Sequence, residues 1–198
     1  MKLPLYKARI NSNDCNTGVY TISLVQEPAT EKDWVTFSKD EPKQAFKFSA
    51  DEQRMVRGVI MVADTPIYRR NGDYEYYLTF DRDTLKVMAQ KLLRMGYQNN
   101  LNTDHQEGTW VNGMLMQEIF IKDSTKGINP VGFDDVPDGS LMATYYVDSE
   151  DIWSRIKEGT WSGFSLEGFF DIEQVEPSDD EVDEVLQLIE RLKNKINK

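Results

Sequence analysis

Short runs of aliphatic, aromatic and β-branched residues, each closed by a turn signal, govern what this chain can fold into. Val19 to Val25 (VYTISLV) alternates, with Val19, Thr21, Ser23 and Val25 on one face and Tyr20, Ile22 and Leu24 on the other, which predicts a strand. Glu27-Pro28-Ala29 breaks it. Val56 to Ala63 reads as a buried strand ended by Asp64-Thr65-Pro66, and Tyr74 to Phe80 follows the Asn71-Gly72-Asp73 turn. These two are expected to face each other across that connection. Gly113 to Lys122, Leu141 to Val147 and Gly163 to Glu173 are further strands. In the last, Phe164, Leu166, Phe170 and Ile172 share one face, and Ser165, Glu167, Phe169 and Asp171 share the other.

Helical spacing is confined to three places. Leu85, Met88, Leu92 and Met95 predict a helix over Asp81 to Met95, ended by Gly96. Ile152, Trp153 and Ile156 form the apolar stripe of a shorter one, Glu150 to Glu158, with Ser149 as N-cap and Gly159 as terminator. The third lies beyond Pro177, where Ser178-Asp179-Asp180-Glu181 makes a capping box. Val182, Val185, Ile189, Leu192 and Ile196 then repeat at heptad spacing, which suits either packing on the chain's own domain or docking to a second helix. Ser38 to Lys47 reads as an exposed connector, and Ser124 to Gly139 as a long loop of a kind that is usually functional or mobile. The expectation is a strand-rich α+β domain over residues 1–176 with an amphipathic helix over 177–198.

Composition narrows the function classes. Apolar residues make up 39% of the 198 and aromatics 11%, enough for a packed core. The 23 Lys and Arg against 34 Asp and Glu leave a net charge of −11, which repels phosphate backbones and anionic lipid. No nucleic-acid or membrane partner is expected. The lone cysteine, Cys15, forms neither an internal disulfide nor a Cys-rich zinc site, and no metal or other cofactor is expected. The N-terminus has too little apolar length for a signal peptide, so an intracellular protein is expected.

The chain has a single histidine, His105, in Asn102-Thr103-Asp104-His105-Gln106. Any His-dependent acid–base chemistry near neutral pH must therefore use it. The second chemical signal is Gly163-Phe164-Ser165-Leu166-Glu167-Gly168, where flanking glycines permit close backbone approach to a strand serine. The same glycines also suit a bulge or bend. A serine hydroxyl needs a base to take its proton during attack, and a Ser–His pair drawn from distant segments is the usual way to supply one.

Ser23-Leu24-Val25-Gln26-Glu27-Pro28-Ala29, Gly58-Val59-Ile60-Met61, Thr65-Pro66-Ile67-Tyr68-Arg69, Asp104-His105, Trp153-x-x-Ile156-Lys157-x-Gly159 and the Gly163–Gly168 stretch occur in that order. With this set, from Thr17 to Glu173, the chain resembles the prohead maturation serine proteases of tailed bacteriophages, which share an assembly-protease fold with the herpesvirus assemblins. The resemblance implies a β-barrel-like core flanked by helices, with His105 as general base and Ser165 as nucleophile. It implies an endopeptidase acting inside the procapsid, in the host cytoplasm, on scaffold and major capsid proteins, and activated by self-association as a homodimer or larger assembly. A catalytically inactive protease fold retained as a capsid component is the alternative.

In related assembly proteases the third catalytic group follows the serine by a few tens of residues. That distance falls here on Asp179 to Glu190, inside the amphipathic helix. Glu118 is the expected third member instead, because it is the one charge within Leu115 to Ile121, on the strand after His105. A solvent-facing Glu118 is the competing possibility, with Asp171, Glu173 and Asp104 as substitutes. Ser162 is the competing nucleophile.

Overall fold

A computed structural model describes residues 3–14, 16–26, 35–36 and 53–175. The connector at Ser38 to Lys47 and the expected C-terminal helix lie outside the described residues. The elements in chain order are β1 (Leu5–Arg9), β2 (Gly18–Val25), β3 (Val35–Thr36), β4 (Met55–Met61), β5 (Ile67–Asn71), β6 (Tyr74–Thr79) and α1 (Arg82–Arg94). Then come β7 (Leu101–Thr103), β8 (Met114–Ile121), β9 (Leu141–Val147), α2 (Glu150–Lys157), β10 (Gly163–Phe169) and β11 (Asp171–Val175). The strand-rich α+β class follows directly.

The strands form three sheets, ordered β11-β1-β6-β5, β10-β2-β7 and β3-β4-β9-β8. Among the described residues these sheets do not close into a barrel, so the expected barrel core is not formed there. β1 pairs parallel with β6 and β2 parallel with β7, while β10 and β2 run antiparallel. The expected pairing of Val56–Ala63 with Tyr74–Phe80 is corrected: β4 pairs with β9 and β3, and β6 pairs with β5 and β1. The Asn71-Gly72-Asp73 turn instead joins β6 to the strand just before it, with Asn71 opposite Tyr74. The last predicted strand is also two, interrupted at Phe170, because β10 pairs with β2 and β11 pairs with β1.

One apolar cluster unites the sheets. Ile22 and Leu24 of β2, Tyr145 of β9 and Phe164 of β10 pack with Leu85, Met88 and Leu92 of α1 and Trp153 of α2. The Tyr145 and Phe164 rings stand 5.3 Å apart, and the buried Tyr145 hydroxyl, its pKa pushed up by burial, donates to the Gln98 carbonyl at 2.8 Å. Both helices begin on side-chain caps, Asp81 accepting from the Thr84 N–H and Ser149 from the Ile152 N–H. The loop after β8 is anchored rather than loose. Phe133 and Val136 pack on Val59, Val62 and Met142, while buried Asp123 accepts from Arg82 and Lys126.

Candidate active site

The middle sheet assembles the polar cluster. Ser23 on β2 lies directly opposite Ser165 on one side and beside Asn102 of β7 on the other. Residues paired across neighbouring strands project to one face, and directly opposed Cβ atoms sit about 4.5–5.5 Å apart. Glu167, two residues after Ser165, shares that face. Ser165 and Asn102 are buried and Ser23 is 0% exposed.

His105 reaches this face through a tight turn. Asp104 and His105 both have positive φ, 50° and 57°, and the Gln106 N–H donates to the Thr103 carbonyl at 3.0 Å. Two successive residues in the left-handed region define a turn that reverses the chain, and Asp and His tolerate it better than most residues with a Cβ. Thr109 Oγ1 donates to the carbonyls of Thr103 and Gln106, and the Asp104 N–H donates to the Leu24 carbonyl at 2.9 Å. The turn is thereby tied to the strand that carries Ser23.

Glu167 Oε1 is the convergence point. It lies 3.2 Å from His105 Nδ1 and accepts from Ser23 Oγ at 2.9 Å and Asn102 Nδ2 at 2.6 Å. Burial by itself would raise the Glu167 carboxyl. The hydrogen bonds from Asn102, Ser23 and His105, with the charge of the imidazolium, outweigh it and hold the group below the ordinary carboxylate range. The His105 side chain is 42% exposed and that of Glu167 is 23% exposed, so the carboxylate is the inner partner and the ring the outer one. Among the described residues, the hydrogen bonds of the imidazole go to Ser23 and Glu167, and none joins it to Ser165.

Glycine makes the strand pairing possible. The ladder shifts register between Glu167 and Gly168, opposite Thr21 and Val19, leaving Tyr20 unpaired. A Cβ on Gly168 would stand 2.4 Å from the Gly18 carbonyl oxygen, closer than any side chain permits. Beyond this bulge Tyr20 and Phe169 stack at 5.5 Å beside a cavity of about 590 Å³ also lined by Met95, Tyr97 and Phe170.

The other expected residues sit elsewhere. Glu118 lies on β8 in a different sheet, bound to Arg57 Nη2 at 2.5 Å and Thr144 Oγ1 at 2.8 Å, and is not brought to His105. Its carboxyl is lowered chiefly by the Thr144 hydroxyl, against burial, with Arg57 adding to the effect. Glu173 accepts from Arg9, Asp104 from the Trp161 indole, and Asp171 faces Arg9 across the first sheet. Ser162 Oγ donates to the Gln26 carbonyl at 2.7 Å. Glu167, Ser23 and Asn102 were not singled out from the sequence as site residues, yet each stands in a segment that was. The usable signal was the two-residue step from Ser165 to Glu167. No group of His, Cys, Asp or Glu that could hold a metal occurs among the described residues, and no described helix is long and apolar enough to cross a membrane.

An imidazole backed by a half-buried carboxylate, next to a strand serine, is the kind of arrangement that hydrolases acting through a serine nucleophile use. Residues 43–174, two thirds of the chain, match the family described as "Putative phage serine protease XkdF", and the chain belongs to that family. The matched span contains Asn102, His105, Ser165 and Glu167 and begins after Ser23. No significant match is found among curated proteins or among solved structures.

Proposed function

We propose that this phage serine protease is a capsid-maturation endopeptidase in which Ser165 is the nucleophile, His105 the general base and Glu167 the carboxylate that orients the imidazole. The observation that carries the reading is the contact of Glu167 Oε1 with His105 Nδ1 at 3.2 Å, made from the same strand face that holds Ser165. With Nδ1 turned to the carboxylate, Nε2 is the nitrogen left to take a proton. Ser165 Oγ bonds to the peptide carbonyl carbon as its proton passes to Nε2. The C–N bond then breaks, and the leaving amine takes that proton. Water attacks the acyl-enzyme with Nε2 again accepting a proton, which returns to Ser165 Oγ as the acid leaves.

The substrates on this reading are scaffold and major capsid proteins inside the procapsid, and the enzyme self-associates in the manner of the herpesvirus assemblins. The absent Ser165–imidazole hydrogen bond fits an unliganded state that tightens when substrate binds. It equally fits an inactive capsid component, and one experiment separates the two. Purified chain and its Ser165→Ala variant are incubated with scaffold and capsid precursors. Cleavage lost only in the variant supports the enzyme; no cleavage by either chain, with both incorporated into capsids, supports the inactive component.

A further inference from the structure

We propose that Ser23 is a positioning residue that sets the tautomer of His105, a role resting on the catalytic reading above for its meaning but on geometry alone for its test. Ser23 Oγ lies 3.0 Å from His105 Nδ1, 2.5 Å from Asn102 Oδ1 and 2.9 Å from Glu167 Oε1. A hydroxyl has one proton to donate and two lone pairs to accept with. Asn102 Nδ2 donates to Glu167, which turns Asn102 Oδ1 toward Ser23. Asn102 Oδ1 and the ionised Glu167 Oε1 only accept, and a Ser23 proton turned to Nδ1 would leave both oxygens facing the lone pairs of Ser23 Oγ, so Ser23 gives its proton to one of these two. In both arrangements its lone pairs face Nδ1, and the contact is a hydrogen bond only when Nδ1 carries the proton.

Glu167 makes the same demand on Nδ1 from beside Ser23, since an ionised carboxylate only accepts. The neutral ring is thus held with hydrogen on Nδ1 and a lone pair on Nε2, the form a general base requires. Ser23 is unsuited to be the nucleophile. It is 0% exposed, so its oxygen is closed to a peptide carbonyl, and it sits on the Nδ1 side with the carboxylate.

The single histidine makes the test direct, because every imidazole signal belongs to His105. Nitrogen-15 spectra of the intact chain above the imidazole transition should show a protonated Nδ1 and an unprotonated Nε2. Ser23→Ala should move population toward the opposite tautomer, as should Ser23→Cys, which keeps the size but bonds weakly. Ser23→Thr, which keeps the hydroxyl, should restore the native pattern. Where precursor cleavage is measured, Ser23→Ala should lower kcat on the order of 10- to 100-fold, as expected for one hydrogen bond to a charged site, with KM little changed. An unchanged tautomer in both Ser23→Ala and Ser23→Cys overturns the proposal, as does a fluorophosphonate adduct mapped to Ser23. Neither result depends on whether capsid precursors are the true substrates, so failure here is distinct from failure of the functional reading.

Discussion

At Glu167 the side chains of Ser23, Asn102 and His105 converge on one carboxylate oxygen, and the consequences can be measured one side chain at a time. Glu167→Gln keeps the shape but replaces the acceptor that holds Nδ1–H, so kcat should fall on the order of 10²- to 10⁴-fold in a precursor-cleavage assay while KM changes little. The linkage has a definite sign. A carboxyl held low in the folded state contributes stability that is fully present above the ordinary Glu value, about 4.3, and is lost as pH falls through the lower folded value. Native chain should exceed Glu167→Gln in denaturant-midpoint stability most at neutral pH, with the gap closing below about pH 4. An equal gap at both ends would show that the carboxylate charge is not what stabilises the cluster. Gly168→Ala tests the backbone that aims Glu167: its methyl meets the Gly18 carbonyl oxygen, so both stability and cleavage should drop, even though alanine ordinarily suits a strand no worse than glycine.

The elements divide into those whose ends are written locally and those created by distant partners. The α1 and α2 ends fall within a residue of the expected ones, because Gly96, Ser149 and Gly159 act within a few residues of themselves, while Asp81, read as the first helical residue, is the N-cap of α1. β1, β5 and β7 carried no comparable signal. β7 is three residues long and exists because Ile22 to Leu24 pair with it. α2 is fixed by Trp153, fully buried in the main apolar cluster, and Trp153→Ala should cost about 3–5 kcal/mol in equilibrium unfolding. The long loop before β9 is tied by Asp123, whose carboxyl is pushed well below the usual range by Lys126 first, then Thr125 and Arg82. Asp123→Asn should lower Tm at pH 7, and the difference should vanish in acid, where the native carboxyl is itself protonated.

For the whole molecule, net charge and the proposed self-association reach beyond the site. On the proposed protease reading, a net charge of −11 should favour substrate segments rich in Lys and Arg, with KM for such a peptide rising with ionic strength as screening takes hold. Ending the chain before Pro177 removes the Val182 to Ile196 seam. If that seam joins two copies, light scattering should give a dimer for the full chain and a monomer for the shortened one; the same mass for both would show that residues 177–198 do not join copies.

His105 and Ser165 stood out in the sequence because one is the only imidazole and the other is framed by glycines, and both properties belong to the residues themselves. Glu118 drew attention as a lone charge in an apolar run, a signal that does not say which way the side chain faces. It is half exposed, the competing possibility, and is held by Arg57 of β4 and Thr144 of β9. Strand alternation, helix caps and the acidic surface were legible because each arises from neighbours along the chain. The identity of the carboxylate at His105, and the presence of Ser23 beside the pair, required the β10-β2-β7 register and the reversal at Asp104-His105. Hydrogen bonds between strands fix the distance between Ser23 and Glu167, 144 positions apart, and only the folded sheet determines which of many carboxylates arrives.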